Sequence, residues 1–342
     1  MPRLRRSDCH APGISRRRAG RGFYYTWGDG QKVDDEEVLS RIAGLAIPPA
    51  WRDVWICPWP NGHIQAMGTD ARGRRQYRYH DAWRARRDQE KFDHMLEFAA
   101  ALPGLRRHCL AALEDEGLTR ERVLACAVRL LDLGFFRIGT EGYAEENQTY
   151  GLASMEKRHV KVHGDVVRFD YVAKAGKHRL QTVVDPQVAE VVAELKRRRA
   201  GGSRLLVARE DGRWTPVGSH DVNDYIKEVT GGSFSAKDFR TWSATVLAAV
   251  ALAVSTGVRT PSGRKKAVTR AVKEVAHYLG NTPAVARASY IDPRVVDKYL
   301  SGETVTAALG HLGEGAAGGL STQGAVEAAV LDLLADDVQL AA

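Results

Sequence analysis

Two short runs of alternating side chains flank an Asn61-Gly62 turn: Trp51-Arg-Asp-Val-Trp-Ile-Cys57 lies before it and His63-Ile-Gln-Ala-Met-Gly-Thr69 after it. Alternation with a period of two is typical of a strand with one buried face, and Asn-Gly is a strong hairpin signal. The sequence therefore predicts a β-hairpin here, a further strand at Gln76-Tyr-Arg-Tyr79 and one helix near Asp34–Ala43. Residues 23–88 are predicted to form a small β-rich domain.

Beyond this segment the apolar residues take the spacing of helices. Lys91–Leu102, Leu105–Glu116 and Thr119–Leu133 each carry apolar side chains three or four positions apart, which predicts three helices. The domain junction is predicted within residues 81–92. No Pro or Gly interrupts that run, so a helical junction is compatible with it.

A three-stranded β unit is predicted over residues 158–184, followed by a helical pattern from Pro186 to Tyr299. Its strands are His159–Val162, Val166–Val172 and His178–Val184, and its second turn is Lys174-Ala-Gly-Lys177. The predicted fold class is α+β, with a small β-rich N-terminal domain and a larger, mainly α-helical domain over residues 89–308 that contains the β unit.

Composition excludes several classes of protein. Among the 342 residues, 44% are hydrophobic and 27% charged, which is ordinary for a globular chain. No apolar run approaches the roughly 20 residues of a membrane span, and none follows the basic N-terminus as a secretory signal requires. The four cysteines lie far apart and form no C-x-x-C pair. A cytoplasmic protein without disulfides or a zinc site is expected.

The formal net charge of +8 is unevenly distributed. Residues 1–22 hold seven arginines and one acid, which predicts a basic, flexible arm. Residues 301–342 hold six acids and no Lys or Arg. Residues 309–342 are therefore predicted to form a Gly/Ala joint and an acidic helix, packed on the protein or offered to a partner that the sequence does not identify. The basic middle of the chain favours a nucleic-acid partner.

Three common catalytic motifs are absent from the sequence: the phosphate-binding loop GxxxxGK[ST], the zinc-binding HExxH and the hydrolase motif GxSxG. ATP cleavage, zinc hydrolysis and α/β-hydrolase chemistry therefore lack their usual sequence support. Five segments with isolated basic residues and a late tyrosine remain. Each alone is typical of a cap, a turn or a core position. They are Phe136-Arg137-Ile-Gly139, Ala173-Lys174-Ala-Gly-Lys177, Lys237-Asp-Phe-Arg240-Thr-Trp242, Leu279-Gly-Asn281-Thr-Pro283 and Ser289-Tyr290-Ile-Asp-Pro293.

Together and in this order, the five segments resemble the type IB DNA topoisomerases, most closely the poxvirus-like enzymes of bacteria. The resemblance covers nearly the whole chain, including Leu45-Ala-Ile-Pro-Pro-Ala-Trp51, Asp70-Ala-Arg-Gly-Arg74 and Tyr150-Gly-Leu152. It implies a monomer that relaxes supercoiled double-stranded DNA by transient single-strand cleavage and religation, through a 3′-phosphotyrosyl intermediate. It also implies that ATP, cofactors and metal ions are not required, and that the catalytic domain is similar to that of tyrosine recombinases.

The resemblance assigns a role to each of the five catalytic candidates. Tyr290 is the nucleophile; its phenol has an ordinary pKa near ~10, so neighbouring cations must favour the phenolate. Arg137 and Arg240 bind the non-bridging oxygens, because a guanidinium donates two parallel hydrogen bonds. Asn281 donates to the same oxygens; poxvirus relatives have histidine there, so a proton-transfer role is not expected. Lys174 is the general acid, and Lys177 is the competing lysine, expected to hold a phosphate.

The same resemblance predicts contacts to DNA outside the catalytic set. Gln76 and Tyr77 are expected at base edges in the major groove, Tyr79 at a phosphate and Tyr143 in the groove. Thr140 occupies the position where poxvirus enzymes have a base-reading lysine. A relaxed or altered site preference is therefore expected.

Two other functions are compatible with parts of the pattern. A tyrosine recombinase uses a similar constellation but normally works as a multimer on two DNA sites. A non-catalytic DNA-clamping protein would leave Tyr290 with a structural role. The Trp-rich N-terminal segment favours the topoisomerases over the first, and the presence of all five residue types argues against the second.

Overall fold

The structure is a computed structural model that describes residues 3–140, 148–258, 260–314 and 319–339. It forms two compact units, Met1–Phe92 and Asp93–Ala342. Helix and sheet are mixed, with a sheet in the first unit and mostly helices in the second, as the sequence predicted. Within the described ranges, no helix is long and apolar enough to cross a membrane.

The first unit is built on one antiparallel sheet of five strands in the order β2-β1-β3-β4-β5. The strands are β1 (Ile14–Ala19), β2 (Gly22–Thr26), β3 (Arg52–Ile56), β4 (Ile64–Thr69) and β5 (Arg75–Tyr79). Helix α1 (Glu36–Gly44) is capped by the side chain of Asp35. Ile14, Val54, Ile56 and Ala66 of the sheet share a buried core with Ile42 of α1.

The hairpin predicted around Asn61-Gly62 is present as β3 and β4, which pair Trp55 with Met67. The strand at Gln76–Tyr79 is present as β5, and the helix near Asp34–Ala43 as α1. The register of β3 shifts between Arg52 and Trp55, where Asp53 takes a positive φ of 49°. The local signals of turn and alternation were sufficient for these elements.

The flexible arm that charge predicted for residues 1–22 is not present in the part of it that the structure describes, residues 3–22. β1 lies inside the sheet between β2 and β3, with Ile14 fully buried. The guanidinium of Arg16 donates to the carbonyls of Ile47, Pro48 and Trp51 at 2.8–3.3 Å. Arginine content was misleading because strand pairing and carbonyl acceptors, both distant in sequence, order this segment.

Upstream of β1 the chain is also hydrogen-bonded. The backbone N–H of Arg5 donates to the carbonyl of Asn61, and the N–H of His63 donates to the carbonyl of Arg5, both at 2.9 Å. The guanidinium of Arg5 lies 3.5 Å from the ring centre of Trp59. These contacts anchor the start of the described chain on the turn between β3 and β4.

The helix that follows β5 is longer than predicted, and it extends from the first unit into the second. A single helix, α2 (Asp81–Leu113), replaces the two expected at Lys91–Leu102 and Leu105–Glu116, and it runs through the predicted junction. Pro103 lies inside it and is exposed; it has no N–H to donate to the carbonyl of Ala99, so the helix loses one hydrogen bond there. Leu102 and Leu105 on either side are both buried, so the apolar face continues past the proline.

Helix α3 (Arg120–Gly134) is the centre of the second unit: all its residues from Arg122 onward are buried. The three-stranded β unit predicted over residues 158–184 is present as β6 (Val160–His163), β7 (Val166–Ala173) and β8 (Lys177–Val184). A hairpin of β9 (Val207–Glu210) and β10 (Arg213–Pro216) interrupts the region predicted as continuously helical. Its Asp211-Gly212 turn, with both φ angles positive, is a hairpin signal that the prediction overlooked.

Seven further helices complete the described part of this unit: α4 (Pro186–Arg197), α5 (Ser219–Thr230), α6 (Ala236–Ala253), α7 (Pro261–Leu279), α8 (Pro283–Ser289), α9 (Pro293–Ser301) and α10 (Ala325–Gln339). The acidic helix α10 packs on the unit through fully buried Val326, Val330 and Leu334. Its Glu327 binds Arg106 of α2 at 2.5 Å and accepts from the indole of Trp242 at 2.9 Å.

Glu327→Gln is expected to destabilise the second unit. The side chain of Arg106 is 15% exposed and bridges Glu327 and Asp132, so removal of one carboxylate leaves a largely buried charge underpaired. Breaking a buried pair costs about 3–5 kcal/mol, and the remaining bond to Asp132 places this variant at the low end. Denaturant unfolding measures the loss. Asp332→Asn, an exposed position on the same helix, is the matched control; equal stability of both variants would contradict the prediction.

Candidate active site

Arg137 lies just beyond the end of α3, where packing fixes the backbone. Phe135 ends the helix in the left-handed conformation, with a φ of 54°. Phe136 is fully buried and its ring meets that of Phe169 edge-on at 4.8 Å. A Cβ at Gly134 would lie 2.1 Å from the Phe136 ring, so this turn requires glycine. The direction in which the chain leaves α3, and with it the position of Arg137, is set by these contacts.

Arg240 projects from α6 and is 4% exposed. Its guanidinium donates to the carbonyl of Phe135 and, at 2.9 Å, to the carbonyl of Leu279. The same group lies over the ring of Tyr290, 5.2 Å from the ring centre. Its Nε is buried and has no hydrogen-bond partner within the described chain. Arg240 thus connects the ends of α3 and α7 to the candidate nucleophile.

Asn281 follows the glycine that ends α7. Gly280 is left-handed, with a φ of 64°, and a Cβ there would lie 2.8 Å from the guanidinium of Arg179. The N–H of Asn281 donates to the carbonyl of Ala276 at 2.9 Å, and its Oδ1 accepts from Arg137. Its Nδ2 is buried and unpartnered among the residues that the structure describes. The structure therefore brings Arg137, Arg240 and Asn281 together.

Tyr290 stands at the C-terminal cap of α8, which starts at Pro283 behind the cap residue Thr282, as predicted. The hydroxyl of Thr245, fully buried on α6, donates to the carbonyl of Tyr290 at 3.3 Å and accepts from the N–H of Asp292 at 3.2 Å. One side chain thus fixes the backbone on both sides of the tyrosine. Sequence reasoning missed Thr245.

The electrostatics of the cluster favour the phenolate. Burial acts to raise the pKa of Tyr290, but Arg240, then Arg137 and Lys237, outweigh it, and the pKa lies below its ordinary value. Burial, then the charge of Arg137, lowers the pKa of Arg240 to about 10, so this side chain is still protonated at neutral pH. Burial also lowers the pKa of Arg137. The arrangement stabilises a negative charge on the tyrosine oxygen.

The two candidate lysines occupy the tip of the β7–β8 hairpin, where Ala175 has a φ of 66°. Lys174 is exposed and lines a cavity of about 210 Å³ that Arg137 also lines. The Nζ of Lys177 lies 3.4 Å from the carbonyl oxygen of Gly280. The structure places both lysines at the cluster, so either one can approach a group bound beside Arg137.

Four cations converge on successive carbonyls at the C-terminus of α7. Arg179 of β8 donates to the carbonyls of His277 and Tyr278, Arg240 donates to that of Leu279, and Arg137 and Lys177 donate to that of Gly280. The partial negative charge at a helix C-terminus offsets the repulsion among such cations. Arg179 and Lys237 were not predicted. Lys177 and Arg179 are two apart on a strand and share a face, which is the signal that could have found Arg179.

The candidate DNA-contact residues of the first unit lie on β5. Tyr77 and Tyr79 are exposed on one face, with their rings stacked 6.0 Å apart. Gln76 lies on the opposite face, and its amide donates to Asp70 at 3.0 Å. Alternation along the strand therefore separates Gln76 from Tyr77. Tyr143 falls outside the described residues.

A half-buried phenol beneath a guanidinium, with an amide and further cations beside it, can perform phosphoryl transfer through a tyrosyl ester. Comparison with known proteins identifies the family that uses this chemistry. The family model for the catalytic core of eukaryotic DNA topoisomerase I matches residues 80–304. The model for the N-terminal domain of bacterial DNA topoisomerase IB matches residues 22–70.

Individual relatives agree with the family models. DNA topoisomerase 1B of Acanthamoeba polyphaga mimivirus is 32% identical over 295 residues, which are 84% of this chain and 87% of the viral protein. DNA topoisomerase I of monkeypox virus is 21% identical over 273 residues, 77% of this chain and 82% of the viral protein. The chain belongs to the type IB DNA topoisomerase family, and it is therefore a DNA topoisomerase, an isomerase that acts on DNA.

Proposed function

We propose that this topoisomerase relaxes supercoiled duplex DNA by transient cleavage of one strand, with Tyr290 as the nucleophile. The observation that carries the proposal is the position of Arg240, 5.2 Å over the Tyr290 ring, in a cluster that lowers the pKa of the phenol. A tyrosine with a structural role does not require this concentration of cations. Stored torsion in the DNA supplies the driving force, so the reaction consumes no ATP.

In the cleavage step, the phenolate oxygen of Tyr290 attacks the phosphorus and the bond from phosphorus to the 5′-oxygen breaks. The products are a 3′-phosphotyrosyl ester and a 5′-hydroxyl. The energy of the broken bond is kept in the ester, so the reverse attack by the 5′-hydroxyl reseals the strand. Between the two steps, the free strand rotates about the intact one.

The transition state places additional negative charge on the non-bridging oxygens of the phosphate. Arg137, Arg240 and Asn281 are the proposed donors to these oxygens. Nδ2 of Asn281 and Nε of Arg240 have no partner in the described part of the chain, and a buried donor without a partner costs free energy. We infer that bound phosphate supplies the acceptor. Fixed donors of this kind typically contribute ~10²–10³ in rate each.

The 5′-oxygen leaves only if it is protonated as the bond breaks. Lys174 is the proposed general acid, since it lines the same cavity as Arg137 and no carbonyl in the described chain accepts from its ammonium group. Lys177, which donates to the carbonyl of Gly280, is the proposed phosphate-binding lysine. General acids typically contribute roughly 10²–10⁴ in rate.

We further propose that one copy of the chain acts on one DNA duplex in the cytoplasm, with contacts from both units. In the second unit, the helices and the sheet β6-β7-β8 would share their fold with the catalytic domains of tyrosine recombinases. In the first unit, Tyr77 is the proposed contact to base edges and Tyr79 the proposed contact to a phosphate. Gln76 can join them only if its amide leaves Asp70.

Incubation with supercoiled plasmid, in EDTA and without ATP, tests the proposed function. We expect relaxation of both positive and negative supercoils at a rate proportional to enzyme concentration, as for a monomer. Recombinant products would instead support a site-specific recombinase. A gel shift without any change in linking number would support a DNA-clamping protein and contradict the proposal.

Lys174→Ala is expected to slow cleavage by roughly 10²–10⁴, because the leaving oxygen loses its proton donor. A substrate with a 5′-thiol leaving group needs no proton and should restore cleavage in this variant, as measured by single-turnover adduct formation. Lys177→Ala is the matched control on the same hairpin and should respond equally to both substrates. Rescue of Lys177→Ala rather than Lys174→Ala would exchange the two roles.

A further inference from the structure

The five-stranded sheet of the first unit has a second face, turned away from the core that it shares with α1. We call it the outer face. Cross-strand partners lie on the same side of a sheet, and side chains alternate along each strand. Because Ile14 is in the core, its neighbour Ser15 lies on the outer face, and the pairs Ser15–Trp55 and Trp55–Met67 continue this face across the sheet.

Register places three arginines on the outer face, each from a different strand. Arg17 is two residues beyond Ser15 on β1 and pairs with Tyr24 of β2. Arg52 of β3 pairs with Thr69, which in turn pairs with Arg75 of β5. All three arginines are exposed, and within the described ranges none has an ion-pair partner.

The acids near this face do not neutralise it. Asp70, at the end of β4, is held by Arg74 at 2.7 Å and accepts from Gln76. Asp53 lies at the bulge of β3 and is exposed without an ion-pair partner in the described chain. Asp8, exposed on the segment that precedes β1, lies near Arg75, since both charges act on the thiol of Cys9. With Asp70 paired to Arg74, three arginines face the two carboxylates of Asp53 and Asp8, so the outer face keeps a net positive charge.

The strand that carries Arg17 is anchored, although Arg17 itself has no ion-pair partner among the described residues. Its neighbour Arg16 points to the other side of the sheet, donates to three backbone carbonyls and stacks on Phe23 of β2 at 4.2 Å. The β1–β2 hairpin is thus anchored through Arg16, which leaves Arg17 and Tyr24 free to contact a ligand. The bacterial family model begins at residue 22, so β1 lies outside it.

The spacing of the arginines fits a polyanion. Neighbouring strands lie about 4.8 Å apart, so Arg17 on β1 and Arg75 on β5 are separated by about 14 Å across the sheet. Duplex DNA carries one phosphate charge per about 1.7 Å of its axis, and its major groove is about 12 Å wide. The sheet is too wide to enter the groove entirely, so its arginines would meet phosphates at the groove edges.

We propose that the outer face is a DNA-backbone contact surface formed by Arg17, Tyr24, Arg52, Arg75, Tyr77 and Tyr79. In this arrangement the arginines bind phosphates, and the hairpin β1–β2 extends the contact beyond the tyrosines of β5. The proposal rests on duplex DNA being the substrate. It adds β1 and β3 to the contacts that resemblance to relatives suggested on β5.

The salt dependence of binding tests this surface. Full-length protein carrying Tyr290→Phe, which prevents covalent trapping, is titrated with duplex DNA over a range of salt concentrations. Each phosphate contact contributes about 0.9 to the slope of log K against log salt concentration. The magnitude of this slope should therefore be smaller by nearly three in the combined variant R17A/R52A/R75A. The combined lysine variant R17K/R52K/R75K, which keeps the charges, should retain the slope and guards against a folding defect.

Arg18→Ala supplies a matched control. Arg18 is the next residue on the same strand, is also exposed, and points to the other side of the sheet. It should leave the slope unchanged. An unchanged slope in the triple alanine variant, or an equal loss in R18A and R17A, would overturn the proposal. A parent protein that shows no salt-dependent binding to duplex DNA would contradict the proposed function itself.

Discussion

Tyr290→Phe is expected to abolish the covalent protein–DNA adduct and plasmid relaxation while DNA affinity stays near that of the parent protein. The substitution removes only the phenolic oxygen, and the ring can keep its place beneath Arg240. The backbone contacts of Thr245 on either side of this position do not involve the side chain. Denaturing gel electrophoresis of labelled DNA measures the adduct, and fluorescence anisotropy measures the affinity.

Tyr278→Phe is the matched control for this experiment. Tyr278 lies on α7 close to the cluster and is 53% exposed, so it is an accessible tyrosine that could replace Tyr290 as nucleophile. Adduct formation should be normal in this variant. Adduct formed by Tyr290→Phe but lost in Tyr278→Phe would mean that the nucleophile had been misassigned.

Arg240→Ala is expected to reduce the cleavage rate by ~10²–10³, the typical contribution of one fixed transition-state donor. A second effect is expected in the pH profile. Among the cations that lower the pKa of Tyr290, Arg240 has the largest effect; without it, burial still acts to raise that pKa. The rate increases as the phenol loses its proton, so the midpoint of this increase should move to higher pH in the variant. Single-turnover cleavage across a pH series measures both effects.

Arg240→Lys separates charge from geometry. Lysine keeps a positive charge near Tyr290, so the pH midpoint should stay close to that of the parent protein, but it lacks the planar pair of donors, so the rate should still fall. Thermal melting of both variants checks that the carbonyls of Phe135 and Leu279 tolerate the loss of their donor. An unchanged pH midpoint in Arg240→Ala would contradict the proposed activation of Tyr290.

Elements governed by local signals were predicted from the sequence. The hairpin around Asn61-Gly62 depends on a turn and on alternation, and the start of α8 depends on a capping threonine followed by proline. The five catalytic candidates were found because their residue types and order resemble those of a known family. Arg137, Arg240 and Asn281 are brought together by contacts to the ends of α3 and α7. Tyr290 is held beneath Arg240 through the backbone contacts of Thr245. No local pattern contains these contacts.

Features that depend on long-range contacts were missed. Charge alone suggested a flexible arm at the N-terminus, but the acceptors that hold Arg16 lie more than 30 residues away in sequence. In the sequence, Thr245 has the pattern of an ordinary core residue. Only the structure shows that its hydroxyl donates to the carbonyl of Tyr290. The separation of Gln76 from Tyr77, in contrast, follows from strand alternation and was available from the sequence.

Peptide mapping of the trapped protein–DNA complex tests most directly whether Tyr290 forms the covalent intermediate. The complex is denatured during cleavage, digested with protease and nuclease, and its modified peptide sequenced by mass spectrometry. We expect a single modified residue, Tyr290, joined to the 3′-phosphate of the cleaved strand. A nucleotide attached to any other side chain, or linked through a 5′-phosphate, would contradict the account.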